Sequence, residues 1–136
     1  MLNNTPPATP PATPPATPLL QHLHLHVRNR ATSVDFYTHW FGFRTVKTKP
    51  DQTQLRDANQ FLLVLMDDPA PAPLPAWFHI GFALPAPADV AALHAQMQAK
   101  QVPLPQALFQ DAVITVFRCT DPDGYLLEPF CLAHSS

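Results

Sequence analysis

What this sequence lacks narrows its function first. Charge is scarce: eight Lys and Arg against ten Asp and Glu, interspersed, give a net charge of −2. No basic stripe is available to neutralise the phosphates of a nucleic acid or an anionic membrane, so nucleic-acid binding is not expected. No apolar run approaches the roughly twenty residues that a membrane helix needs. The N-terminus has neither the basic start nor the apolar stretch of a secretory signal, which predicts a cytoplasmic protein without membrane association. Cysteine is limited to Cys119 and Cys131, in strand-like runs flanking "TDPDG". A hairpin centred near Pro122 sets Cys119 roughly opposite Tyr125 and leaves Cys131 about 20 Å further along, at about 3.3 Å per residue. No internal disulfide is expected, and reduced thiols suit a cytosolic protein.

Glycine is also scarce, three residues against eighteen prolines. Much of the proline falls in "TPPATPPATPPATP", a four-residue repeat without one large apolar side chain. Such a segment favours solvated polyproline II and cannot offset its ordering entropy by packing. Residues 1–18 are therefore expected to be a disordered tail and residues 19–136 a single domain. A second proline-rich run, "DDPAPAPLPA", reads as a linker over 67–76.

On either side of that linker the same order recurs: strand, helix, three strands. "QHLHLHV" alternates with period two, so His22, His24 and His26 share one face and Leu23, Leu25 and Val27 the other. "ATSVDFYTHWFGF" follows as a helix, with Thr32 or Ser33 as its N-cap and Gly42 as its close. "RTVKT", "TQLRD" and "FLLVLM" are strands. Beyond the linker come "WFHIGFAL" as a strand, "APADVAALHAQMQAKQ" as a helix with Val90, Leu93 and Met97 along its apolar stripe, then "QALFQ", "AVITVFRC" and "YLLEPFC". His79 lies 57 residues after His22. The expected fold is α+β, two βαβββ modules over 19–66 and 77–132 forming a cup-shaped mixed sheet with helices on its outer face.

Taken alone, three histidines on one strand face read as a solvated sheet surface sooner than as metal ligands. His79 in the equivalent strand and Glu128 within the apolar "YLLEPF" shift the balance, because a carboxylate in such surroundings is costly unless paired or bound to a cation. Two imidazoles and a carboxylate suit one divalent ion, Fe2+, Mn2+, Zn2+ or Ni2+. Spacing alone admits His22 or His24 as the first ligand. Arg118 shares a strand face with Ile114 and Val116; it either holds a substrate anion or pairs with Asp121, Asp123 or another acid. His39 and His94 read as helix-surface residues, and His134 as part of a frayed C-terminus.

"QHLHLHVRNRATSVDFYTHWFGF", "FHIGFAL" and "FRCTDPDGYLLEPF" together resemble the vicinal oxygen chelate superfamily, which includes glyoxalase I, extradiol dioxygenases, methylmalonyl-CoA epimerase, fosfomycin-resistance transferases and bleomycin-binding proteins. The likeness covers everything after Leu19, and "DPDGY" is its most specific part, a tight turn with Gly124 at positive φ. It implies a metal held by His22, His79 and Glu128, with Glu128 also catalytic, and a small-molecule substrate; His24 and His26, on the same face as His22, are then candidate acid-base groups or substrate donors, and Arg118 and His26 candidate substrate-binding residues. It also implies a homodimer.

The chain departs from the family in four places. The further Glu or Gln ligand of glyoxalases and epimerases should fall within "FLLVLM", where nothing can ligate a metal, so two-base proton transfer is disfavoured. The tyrosine that dioxygenases and fosfomycin enzymes place ten residues before the ligand glutamate is Arg118 here. An acid-base histidine ahead of His79 and the fosfomycin enzymes' cation-binding loop are likewise unmatched. Two rivals follow: a bleomycin-resistance-type protein that sequesters a small molecule without catalysis, and a subunit whose cup is structural and binds no metal.

Overall fold

The computed structural model describes residues 3–10 and 16–133, so the expectation for His134 and part of that for the tail lie outside the described residues. Residues 3–10 and 16–18 carry no helix or strand and are exposed. The first module comprises β1 (His22–Val27), α1 (Arg30–Phe41), β2 (Arg44–Thr48), β3 (Gln52–Arg56) and β4 (Leu62–Asp67). The second repeats the order with β5 (Ile80–Ala83), α2 (Pro87–Ala99), β6 (Gln106–Gln110), β7 (Ile114–Thr120) and β8 (Leu126–Leu132). Each module forms a mixed four-stranded sheet, β1-β4-β3-β2 and β5-β8-β7-β6, in which the first and last strands pair in parallel. The α+β architecture is as expected.

Strand alternation builds the core. Leu25, Val27, Leu55, Leu63 and Leu65 with Tyr37 of α1, and Phe117, Cys119, Leu127 and Cys131 with Val90 and Met97 of α2, belong to one buried core cluster that spans both modules. Residues of opposite parity, the three histidines of β1 among them, lie on the other face of each sheet, called here the open face. Cys119 and Cys131 are buried and free, in accord with the expected absence of a disulfide.

Three local expectations require correction. The cap of α1 is Asn29, whose side chain accepts the Thr32 N–H at 3.1 Å, because the helix starts at Arg30 rather than inside "ATSV". The hairpin between β7 and β8 pairs Cys119 with Leu127, not Tyr125. Asp121 sets that register: its Oδ1 accepts the N–H groups of Asp123 and Tyr125, at 2.9 Å each, and so widens the turn. His94 is half-buried, edge-on to Phe117 with ring centroids 5.1 Å apart, rather than a free surface residue. Gly42 closes α1 at φ 68°, and Gly124 sits in the turn at φ 87°, both where a left-handed backbone favours glycine.

The "DPDGY" turn clasps the two modules together. The buried Tyr37 hydroxyl donates to Asp121 Oδ2 at 2.7 Å, and the Ser33 hydroxyl and Arg28 N–H donate to Asp123 at 3.3 and 2.9 Å. The Tyr125 hydroxyl donates to the His26 carbonyl oxygen at 2.6 Å. Burial lifts the Asp121 carboxyl above its usual range, against the opposing pull of Tyr37 and the turn N–H groups. It also raises the Tyr37 hydroxyl, next to the Asp121 charge.

Candidate functional site

His79 immediately precedes β5 and Glu128 lies in β8, which β5 joins in parallel with Gly81 opposite Glu128. His79 Nε2 stands 3.5 Å from Glu128 Oε2. Its other nitrogen, Nδ1, faces the Trp77 carbonyl oxygen at 3.1 Å. The carbonyl only accepts, so in this contact Nδ1–H donates, and Nε2 is the nitrogen turned toward the Glu128 carboxylate. Histidines that ligate metals are oriented in this way, and two ligand atoms on one ion at about 2.1 Å stand about 3.4 Å apart. The pair therefore fits two positions around a divalent ion.

The rest of the expected set is less complete. Among the described residues no group of three His, Cys, Asp or Glu side chains converges as a metal site. His22 belongs to the other module. It and His79 both line a cavity of about 820 Å³ between the modules, whose walls are mainly apolar and include Trp40, Phe41, Phe82 and Leu93. Glu128 is not on that wall. The strand expected to carry the further ligand sets Leu62, Val64 and Met66 beside the β1 histidines, with no oxygen or nitrogen side-chain donor among them.

Arg118 stands opposite Glu128, because Val116 pairs with Phe130 and Cys119 with Leu127. Its Nε donates to Glu128 Oε2 at 2.8 Å, which makes Glu128 the paired acid rather than Asp121 or Asp123. The same oxygen faces His79, so Arg118 occupies the side of the carboxylate that a metal would approach. The Arg118 and Glu128 side chains keep 27% and 18% exposure, so both charges are partly desolvated and depend on this contact.

The three histidines of β1 differ in surroundings. His22 and His24 meet edge to face, with ring centroids 5.9 Å apart. His26 Nδ1 instead meets Asp68 Oδ2 at 2.8 Å. Asp68 is held below the usual carboxylate range, first by the Ala70 N–H and then by His26. Four residues of strand put His26 roughly 13 Å from His22, so it reaches the far end of the face rather than an atom at His22. The Asp68 partnership was not legible in sequence, because the residue follows β4 in the proline-rich linker and its neighbour is set by the parallel pairing of β1 and β4.

Residues 19–128 match the family model of the Glyoxalase/Bleomycin resistance protein/Dioxygenase superfamily. No curated protein matches the sequence. Among solved structures, a possible glyoxalase from Bacillus cereus is 23% identical with a TM-score of 0.74, over 82% of this chain and 97% of that one. A glyoxalase/dioxygenase from Nostoc punctiforme is 14% identical with a TM-score of 0.75, over 93% and 100%. The genomically encoded fosfomycin resistance protein FosX from Listeria monocytogenes is 16% identical with a TM-score of 0.74, over 85% and 94%. At these identities the likenesses show a shared fold.

Proposed function

Because the chain belongs to the Glyoxalase/Bleomycin resistance protein/Dioxygenase superfamily, we propose that it is a divalent-metal-dependent enzyme acting on a small oxygen-bearing substrate. The observation that carries this reading is the approach of His79 Nε2 to Glu128 Oε2 at 3.5 Å, with the ring's other nitrogen turned to the Trp77 carbonyl oxygen. His22 is the third ligand, and a second copy of the chain supplies it. β1 and β5 are both edge strands, and the β1 histidines are exposed on the open face. A two-fold pairing that brings β1 of one copy to β5 of the other completes two such sites per dimer.

A bound divalent ion, Fe2+, Mn2+, Zn2+ or Ni2+, supplies Lewis-acid polarisation of two neighbouring substrate oxygens. The chain's own residues do the rest. Arg118 balances charge on Glu128 and on substrate oxygen, and Glu128 holds its place through Arg118. His24, beside His22, is the group in reach to accept or return a proton. His26, oriented by Asp68, donates to the distal part of the substrate.

A second reading has one observation in its favour. Arg118 already neutralises Glu128, which suits a metal-free cup that binds a small molecule without turning it over. Elemental analysis of untagged protein purified anaerobically without chelator separates the two. The enzyme reading expects about one equivalent of metal per chain, lost in His79→Ala and Glu128→Ala. Wild-type protein that stays metal-free after reconstitution with each of the four ions contradicts it and favours the binding cup.

A further inference from the structure

On the open face of the second module, strand register sets two parallel rows. Gln106 pairs with Arg118, Arg118 stands opposite Glu128, and Glu128 pairs with Gly81, giving a polar row across all four strands. Beside it, Phe109 pairs with Val116, Val116 with Phe130 and Phe130 with Ala83, giving an apolar row. The alignment depends on a β-bulge. Gln106 and Phe109 are three residues apart on β6 while their partners Arg118 and Val116 are two apart on β7, so the bulge turns both β6 side chains to the same face.

The polar row has donors left over. Arg118 uses Nε on Glu128, and its terminal amino groups have no protein partner among the described residues. The half-buried Gln106 amide, on the neighbouring strand, likewise has no hydrogen-bond partner among them. Paired residues on adjacent antiparallel strands have Cα atoms about 5 Å apart, so the amide and the guanidinium reach one acceptor group. A planar guanidinium fork with an amide beside it matches the two oxygens of a carboxylate. The apolar row adjoins it as a shelf. A Cβ at Gly81 would meet the Phe130 ring at 3.2 Å, so glycine there lets that ring lie close across β5.

The geometry points to Gln106 and Arg118 as a carboxylate subsite for a short substrate whose apolar body lies on Phe130, Val116 and Phe109. This rests on the open face being the substrate site and names the substrate class: an amphipathic small carboxylate. Recognition at this subsite does not require the metal.

Calorimetric titration of the full-length protein, metal-loaded and chelator-treated, with 3-phenylpropionate, 3-phenylpropionamide, acetate and methylphosphonate tests it. The acid binds at least about tenfold more tightly than the neutral amide in both preparations. It also binds about tenfold more tightly than acetate, a difference that Phe130→Ala abolishes. Gln106→Ala, at a half-buried edge position, weakens the acid about threefold with metal content unchanged. Arg118→Met, combined with Glu128→Gln to avoid stranding a carboxylate, loses the preference for acid over amide. Equal binding of acid and amide, an unaltered preference in these variants, or stronger binding of methylphosphonate overturns the carboxylate assignment. Wild-type protein that prefers the acid yet takes up no metal leaves the subsite standing while the metal-enzyme reading falls.

Discussion

The two modules share their strand order, their parallel closing pair and their apolar cores, yet their open faces carry different chemistry. His24 stands two residues after His22 as Gly81 stands two after His79, and the rows through these positions can be compared directly. In the first module the row runs His24, Val64, Gln54, Lys47; in the second it runs Gly81, Glu128, Arg118, Gln106. Where the second module places a carboxylate and its guanidinium partner, the first has a valine only 2% exposed and a glutamine. The first module offers imidazoles from one edge strand, and the second offers one imidazole, one carboxylate and one guanidinium. Neither face alone holds the proposed ligand set, so the proposed site needs the two to meet.

If the cores are equivalent while the faces are not, matched truncations should show it. Leu65→Ala and Leu127→Ala, both fully buried, each lower unfolding free energy in urea by about 2–5 kcal/mol. A large inequality between the two would break the symmetry. Converting the first face toward the second is the next test. Val64→Glu buries a carboxylate without a cation and costs on the order of 3 kcal/mol, and adding Gln54→Arg recovers part of the loss. No recovery would mean that the pairing of Arg118 with Glu128 depends on more than their opposition across two strands. Tyr37→Phe, which strips the clasp of one buried hydrogen bond to a carboxylate, costs about 1–3 kcal/mol. A smaller loss would mean that the modules stay joined through their apolar contacts.

The clasp also has a pH signature. Asp121 has a raised carboxyl in the folded state, so its stabilising contribution is fully present below the unfolded-state value of about 3.9 and is lost as pH rises through the raised value. Relative to wild type, Asp121→Asn should therefore gain in urea midpoint as pH increases from about 3.9 through the raised value. A constant difference across that range would remove Asp121 from the account. The smallest effect is expected at His24, exposed on the first face, where alanine changes stability by less than about 0.5 kcal/mol. Cys119, pushed up to about 12 by burial and the nearby Asp121 charge, should resist thiol reagents at pH 8 while the chain is folded.

Much of this was legible from alternation and repetition. Period two separated the β1 histidines from Leu25 and Val27, because only one parity faces α1. The recurrence of strand, helix and three strands gave the duplicated architecture, and "RTVKT" and "QALFQ" are β2 and β6 as read. The contact between Arg118 and Glu128 was not legible. A hairpin centred at Pro122 puts Arg118 opposite Leu126, and the actual register, shifted by the Asp121 side chain bonding to the turn, brings it to Glu128. Gln106 was missed for a similar reason: its side is decided by a bulge, which leaves no mark in a period-two pattern.

The central claim is that the candidate metal site is shared, with His22 from one copy and His79 and Glu128 from another. Refolding an equimolar mixture of His22→Ala and Glu128→Gln chains tests it most directly, by elemental analysis beside each variant alone. Each variant alone should bind no metal, whereas random pairing makes about half the dimers mixed, each with one intact site, or about one quarter equivalent of metal per chain. A mixture that binds no more metal than its components, from wild-type protein that does bind it, would contradict a shared site and place all three ligands within one chain.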